Sequence, residues 1–172
     1  MIRTATREDL EPLGRLGALL MRVHYEFDPQ RFLAPGDDPE GGYAWFLETQ
    51  LGEPDVVILV AEQDGRVIGY VYAGLEPLSW KELRGPAGFI HDIVVDERAR
   101  GSGVARELIA AAVEWLNQRG APRVMLWTAA QNARAQGLFE AAGFRKTMTE
   151  MTLELEGRRS VPNAPPAVRR RG

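Results

Sequence analysis

The sequence predicts a single α/β domain in which helices flank a mixed, mostly antiparallel central sheet. Segments with the two-residue period of strands alternate along the chain with segments of helical spacing. Asp64-Gly65 separates two apolar runs, which is the signal of a tight hairpin and therefore of antiparallel neighbours. With 172 residues, 45% of them hydrophobic and 26% charged, the chain is typical of one soluble domain. The expected order of elements is β-α-α-β-β-β-α-β-α-β.

The first third of the chain predicts two helices after a short strand. The residues Thr6 to Asp9 resemble a capping box ahead of an apolar run. Helical spacing then continues to about Val23, as shown by Leu10, Leu13, Leu16 and Leu20. The segment from His24 to Pro39 is rich in Asp, Pro and Gly and predicts a loop. A second short helix is expected from Tyr43 to Leu51.

Three strands are expected in the middle of the chain, from Val56 to Glu62, from Val67 to Leu75 and from Ala87 to Val95. In the last of them the side chains should alternate between the two faces of the sheet. Strict alternation would place Phe89, His91, Ile93 and Val95 on one face and Ile90, Asp92 and Val94 on the other.

The final part of the chain returns to alternating helices and strands. A helical pattern begins at Gly103 and is stopped by Gly120. A strand from Arg123 to Thr128 and a helix from Asn132 to Ala142 follow. The segment from Met148 to Leu155 alternates polar and apolar residues and predicts a last strand.

Composition excludes several classes of site. The chain has no cysteine, so disulfides, thiolate metal sites and a cysteine nucleophile are excluded. It has only two histidines, and we therefore expect no metal. The longest strongly apolar stretch, Val56 to Ala61, is too short to cross a bilayer, and the first residues show no signal-peptide pattern. We expect a cytoplasmic protein that does not bind membranes.

The formal net charge of −3 conceals an uneven distribution. Residues 158–172 hold five arginines and no acid, which leaves 16 basic against 24 acidic residues in the rest of the chain. An acidic body disfavours nucleic-acid binding and favours a cationic substrate. The tail is rich in proline and arginine, so we expect a domain over residues 1–156 and a flexible extension over residues 157–172. Two interpretations of this tail stay open: it is solvated and has no specific function, or it contacts an acidic partner.

The segment Arg100-Gly-Ser-Gly-Val-Ala105 links the strand ending at Val95 to the next helix. Its glycines permit a tight bend and bring bare N–H groups close to a ligand. The helix start adds unpaired N–H groups and a positive dipole end, and Arg100 adds a fixed charge. Together these features predict a phosphate or pyrophosphate site, with a plain glycine turn as the alternative. The spacing fits neither a P-loop nor a dinucleotide fingerprint.

This loop resembles the acyl-CoA signature of the GNAT superfamily of N-acetyltransferases. The pattern Arg/Gln-x-x-Gly-x-Gly/Ala is matched by Arg100, Gly103 and Ala105. Downstream, Asn132 to Ala135 and Leu138 to Phe144 resemble the second motif of the family. The resemblance extends from Ile2 to Leu155 and implies a GNAT-like fold that uses acetyl-CoA as acyl donor.

The resemblance also implies roles for individual residues in holding the cofactor. Backbone groups of Ile93 and Val95 would bind the pantetheine arm. The Asn132 side chain would contact the cofactor, and it would also suit a helix N-cap. Phe139 stands near the thiolate, where many members of the family have a tyrosine as general acid. The pyrophosphate would be held by amides of Arg100, Gly101, Ser102, Gly103, Val104 and Ala105.

The implied reaction is direct attack of a primary amine on the thioester, with no acyl-enzyme. The backbone N–H of Val94 would meet the oxyanion. His91 is the candidate base, because its ordinary pKa of about 6.5 suits the task, and a purely structural, hydrogen-bonded strand residue is the alternative. Asp92 is the alternative, provided that a bulge turns it to the same face. Phe139 cannot donate a proton, so an acid would come from Tyr70, Tyr72 or water, or would not be needed.

The acceptor is expected to be a small-molecule or peptide amine. In the resembled family the first helix pair walls the acceptor site, which here indicates Tyr25, Glu26 and Asp28, and ordinary solvated loop acids are the alternative. Trp80 and Trp127 would face the cleft or simply pack.

Two other functions stay open: an acyl-CoA sensor or interaction protein with weakened catalysis, and nucleic-acid binding through the arginine tail. Dimers are common in the resembled family. An exposed edge strand from Met148 to Leu155 would pair with a second copy, which makes a homodimer the expected assembly.

Overall fold

The computed structural model describes residues 1–155. Within them the chain forms five strands and four α-helices, in the predicted order up to the last helix. The elements are β1 (Ile2–Thr4), α1 (Leu10–Phe27), α2 (Pro39–Gln50), β2 (Val56–Gln63), β3 (Arg66–Glu76), β4 (Ala87–Val95), α3 (Val104–Gln118), β5 (Val124–Leu126) and α4 (Ala133–Ala141). None of these helices is long and apolar enough to span a bilayer.

The sheet has the order β1-β2-β3-β4-β5, with antiparallel neighbours except for the parallel pair β4 and β5. This confirms the predicted mixed, mostly antiparallel sheet. The turn between β2 and β3 places both Asp64 and Gly65 at positive φ, as a two-residue hairpin turn requires. One face of the sheet packs against α1 and α2, and the other packs against α3. We call them the α1–α2 face and the α3 face.

The two N-terminal helices are longer than predicted. Helix α1 continues through His24 to Phe27, so this segment is not the expected loop. Helix α2 begins at Pro39, where Asp38 accepts a hydrogen bond from the Gly41 amide at 2.9 Å. A proline in the first turn and an acceptor at the cap are both helix-start features, and they extend the helix N-terminal to Tyr43.

The predicted last strand is wrong, because residues 148–155 form no strand, and all of them are exposed. Alternation describes a strand only where a neighbouring edge supplies backbone partners, and β5 is paired with β4 alone among the described residues. The segment is instead tied by an ion pair between Glu150 and Arg31. The predicted domain boundary after residue 156 and the tail lie outside the described residues.

Candidate functional site

Strands β4 and β5 separate halfway along β4. Their parallel ladder covers only Gly88 to Ile90 on β4, whereas β4 continues to Val95 with β3 as its one neighbour. Beyond Ile90 the described residues supply no strand on the β5 side, so residues 91–95 have an unpaired backbone edge there. We call this edge and the space beside it the cleft. In the sequence, residues 91–95 are followed closely by the loop from Arg100 to Ala105.

A β-bulge stands at the point of separation. Ala73 pairs with Ile90 and Tyr72 pairs with Asp92, so His91 is an extra residue without a partner on β3. The bulge places Asp92 on the α1–α2 face together with His91. The predicted alternation through β4 is thus wrong, since Ile90 packs on the α3 face and Val94 on the opposite one. The bulge that an Asp92 base requires is present.

The same bulge decides which amides face the cleft. The Asp96 amide donates to the Ile68 carbonyl on β3 at 2.8 Å. Because amide direction alternates along a strand, the Val94 amide also faces β3, and the amides of Ile93 and Val95 face the cleft. The structure therefore corrects the prediction that Val94 donates to an oxyanion, and it shows that the amides of Ile93 and Val95 point away from β3.

Asp92 is held by two phenols. The hydroxyls of Tyr43 and Tyr70 both donate to its Oδ2 atom, at 2.7 Å and 3.2 Å. Burial raises the pKa of Asp92 above its usual range, although the two hydrogen bonds act to lower it. The charges of His91 and His24 also act to lower it. The site thus contains a partly buried carboxylate that, among the described residues, is hydrogen-bonded by two neutral phenols.

His91 lies between two aromatic rings. Its imidazole stacks on Tyr72 at 4.7 Å and on Phe89 at 5.1 Å, and its Nε2 atom is 3.3 Å from Oε1 of Glu76. Burial lowers the pKa of His91, with Glu76 and Asp92 opposing that shift. His91 is therefore largely neutral at pH 7, and its side chain keeps 27% exposure. A neutral, partly exposed imidazole has the properties of a general base.

The stacking around His91 belongs to a longer row of rings. Phe89 meets Trp127 edge-on at 5.1 Å, just after β5, and Tyr72 meets Phe46 at 5.9 Å. Trp127 is 72% exposed, so the row reaches the surface at the side of the cleft. Trp80, at 82% exposure, is not part of the row.

The loop before α3 presents a series of free amides. Among residues 1–155, no backbone or side-chain oxygen accepts a hydrogen bond from the amides of residues 101–105. Gly101 and Gly103 have φ values of 86° and 93°, which other residues rarely adopt. The Nη1 atom of the Arg100 guanidinium lies 3.2 Å from Oε1 of Glu97. Free amides at a helix start together with a nearby guanidinium form an anion site, so the loop fits a pyrophosphate.

The second motif lies on α4. The Asn132 side-chain oxygen accepts from the Ala135 amide at 3.1 Å and caps this helix, and within residues 1–155 the side-chain nitrogen of Asn132 makes no hydrogen bond. Phe139 is buried against Phe144, with ring centres 6.0 Å apart. The phenol of Tyr72 is bonded to Gln50 at 3.0 Å, so neither tyrosine named as a possible acid has an unengaged hydroxyl.

The predicted acceptor residues lie at the end of α1. Tyr25 and Glu26 belong to its last turn and Asp28 caps it. One carboxylate oxygen of Asp28 accepts from the amides of Gln30 and Arg31, at 3.0 and 3.2 Å. Within residues 1–155 no hydrogen bond joins these three side chains to His91 or Asp92. No three His, Cys, Asp or Glu side chains in that part of the chain group as metal ligands would.

Sequence reasoning missed Tyr43, Glu76 and Gly17. Tyr43 and Glu76 belong to the site only through contacts with residues far away in sequence. Gly17 lies inside α1, where the Tyr43 ring packs against it. Two glycines three residues apart within an amphipathic helix, Gly14 and Gly17, are the signal that could have shown a close approach there.

Characterised and uncharacterised acetyltransferases share this sequence pattern. A model of the acetyltransferase (GNAT) family matches residues 19–144. The mycothiol acetyltransferase of Thermomonospora curvata is 34% identical over 116 residues, which cover 64% of this chain and 36% of that protein. The uncharacterized N-acetyltransferase YhfO of Bacillus subtilis is 30% identical over 119 residues, or 68% of this chain and 76% of that protein. The chain thus matches little more than a third of the mycothiol enzyme's length.

Solved structures share the fold. A mutant of the BH1408 protein from Bacillus halodurans aligns with a TM-score of 0.77 at 23% identity, covering 90% of this chain and 99% of that one. The aminoglycoside N-acetyltransferase AAC(6')-Iy in complex with CoA aligns with a TM-score of 0.69 at 23% identity, covering 91% and 94%. At this identity the likeness shows a common fold.

Proposed function

The chain belongs to the GNAT acetyltransferase family, and from this premise we propose that it transfers the acetyl group of acetyl-CoA to a primary amine by direct attack. The observation that carries the proposal is the unpaired edge of β4 beyond Ile90, which the loop of free amides follows along the chain. AAC(6')-Iy, which has the same fold, binds CoA.

The cofactor would lie along β4 and reach the start of α3. The Ile93 carbonyl and the Val95 amide face the cleft and would bond the pantetheine arm, which leaves the Ile93 amide for the oxyanion. The amides of residues 101–105, with Arg100, would hold the pyrophosphate, and the free amide nitrogen of Asn132 would reach the cofactor from α4. Phe139 would contact it as an apolar surface. Bound acetyl-CoA supplies an activated thioester, and the residues of the chain orient it.

The acceptor must lose a proton before it attacks. An alkylamine with a pKa of about 10.4 pays roughly 4.6 kcal/mol to be neutral at pH 7. The ionised Asp92 attracts the ammonium, and His91 takes its proton. The amine nitrogen then bonds to the thioester carbonyl carbon, and the amide of Ile93 donates to the oxyanion. When the intermediate collapses, the nitrogen gives its second proton to water, the C–S bond breaks, and the thiolate leaves without needing a phenol at position 139.

The α1–α2 face favours a cationic acceptor. Asp92 and Glu76 supply negative charge beside His91, and the exposed Trp127 ring would stack on an ammonium or an apolar group. The side chains of Tyr25, Glu26 and Asp28 would line the outer part of the site. One relative is named a mycothiol acetyltransferase and AAC(6')-Iy is named an aminoglycoside N-acetyltransferase, so a small-molecule amine is the acceptor class that we propose.

One observation favours a second function, an acyl-CoA sensor without efficient catalysis. Phe139 is buried where a proton-donating tyrosine would suit the leaving thiolate. The two functions are separated by measuring CoA release from acetyl-CoA with a panel of amines. Release that depends on the amine supports the enzyme, whereas binding of acetyl-CoA without release supports the sensor.

The exposed segment 148–155 supports a homodimer in this proposal. Met148, Met151 and Leu153 are each more than 80% exposed, and β5 is an edge strand within the described part of the chain. An unpaired edge and an alternating apolar segment are complementary between two copies. Light scattering should give twice the mass of the chain, and Leu153→Lys should reduce it to that of a monomer.

Calorimetric titration with acetyl-CoA and CoA is the first test. We expect micromolar binding by the full chain and none by Gly103→Trp, because this substitution fills the loop. Gly120→Trp is the matched control, since Gly120 also has positive φ and open surroundings but lies at the far end of α3. Absence of binding by the unsubstituted chain would reduce the loop to a plain glycine turn.

A further inference from the structure

The Tyr43 side chain reaches Asp92 through a gap in the surface of α1, which exists because Gly17 has no side chain. Its ring lies against Gly17 of α1, where an added Cβ would be 2.0 Å from ring atom Cδ1. Any side chain at position 17 would therefore occupy the place of the ring. Glycine is unfavourable inside a helix, so its presence there calls for a packing reason. The Tyr43 ring supplies that reason.

The two phenols converge on a single oxygen of Asp92. Tyr43 makes the shorter bond, 2.7 Å against 3.2 Å for Tyr70. A phenol that donates to a carboxylate stabilises the ionised form and opposes the effect of burial. The titratable groups that face Asp92 are Tyr43 from α2, Tyr70 and Tyr72 from β3, His24 from α1 and His91 from β4.

We infer that Tyr43 is the positioning residue for Asp92, keeping the carboxylate ionised and its other oxygen available for the acceptor ammonium. Because the phenol comes from α2 and the gap from α1, the helices that wall the proposed acceptor site would also set its charge. The inference rests on the proposed acetyl transfer, since it is the ammonium of the acceptor that an ionised Asp92 would attract.

The test is a titration of the Asp92 ¹³Cγ chemical shift in the full chain, with Asp92→Asn to assign the signal. Tyr43→Phe keeps the ring in the gap and removes only the donor. The ionised carboxylate then loses its shorter bond, so the pKa of Asp92 should move upward. The acid side of the kcat/KM profile should shift to higher pH with it, giving about a tenfold loss at mildly acidic pH and little change at high pH.

Graded variants distinguish positioning from a general structural effect. Tyr70→Phe should move the pKa of Asp92 in the same direction by less, because its bond is longer. Tyr72→Phe removes a phenol bonded to Gln50 and should leave that pKa in place. Gly17→Ala should displace the ring and reproduce the Tyr43→Phe shift.

An unchanged Asp92 titration in a folded Tyr43→Phe variant would overturn the inference. A shifted titration in a chain that acetylates no amine would support the phenol arrangement and overturn the proposed reaction. The NMR readout needs no turnover, so the two failures are distinguishable.

Discussion

The two faces of the sheet bury different chemistry. The buried core on the α3 face is entirely aliphatic, and Leu108, Ala112 and Leu116 of α3 pack there. On the α1–α2 face the same strands carry Tyr70, Tyr72 and Asp92, whose polar atoms are bonded across elements. Aliphatic packing needs only volume and periodicity, whereas each buried polar atom needs a particular partner. The α3 face therefore supplies stability and a scaffold for the loop, and the α1–α2 face supplies the proposed acid–base chemistry.

The largest effect should come from His91→Gln. If His91 is the base, kcat/KM should fall about 10²–10⁴-fold, because glutamine cannot accept the proton. Neutral imidazole is the active form, and burial lowers its pKa. The native enzyme should therefore stay active to below the ordinary histidine pKa of about 6.5. The pH profile of kcat/KM measures this, and in His91→Gln the acid limb should keep only the contribution of the Asp92 titration.

Glu76→Gln is the matched control for this prediction. Glu76 opposes the lowered pKa of His91, so its loss should keep the acid limb and move it to still lower pH. If His91→Gln kept the native kcat/KM and the native acid limb of its pH profile, Asp92 would be the base instead.

The contrast between the faces also explains which features the sequence could predict. Helix α3 could be predicted from its i+4 spacing and its terminal glycine. The Arg100–Ala105 loop could be predicted from the spacing of its residues, because both features depend on neighbours in the chain. The bulge at His91 could not be predicted, because a bulge is a mismatch between β3 and β4. The prediction of a strand over residues 148–155 was wrong for the same reason, since a strand requires a partner elsewhere in the sequence.

A matched pair of core truncations should separate stability from chemistry. Leu116→Ala on the α3 face and Leu47→Ala on the α1–α2 face each remove a fully buried side chain, and each should lower the free energy of unfolding by about 2–5 kcal/mol. Only Leu47, one turn after Tyr43 in α2, lies next to the polar cluster. Denaturant unfolding measures the loss in the free energy of unfolding. Activity per folded molecule should fall for Leu47→Ala alone, and an equal fall for Leu116→Ala would contradict the division between the faces.

The smallest effect should come from Asn132, which serves both structure and the proposed cofactor site. Asn132→Ala removes the cap of α4 and should cost about 1 kcal/mol of stability. Asn132→Asp keeps an acceptor for the Ala135 amide but loses the free amide nitrogen and adds a negative charge. It should therefore retain the melting temperature and bind acetyl-CoA more weakly than the native chain. If instead affinity followed the melting temperature through both variants, Asn132 would act on the cofactor only by capping α4, and the α3 side of the cleft would bind CoA through its backbone and Arg100.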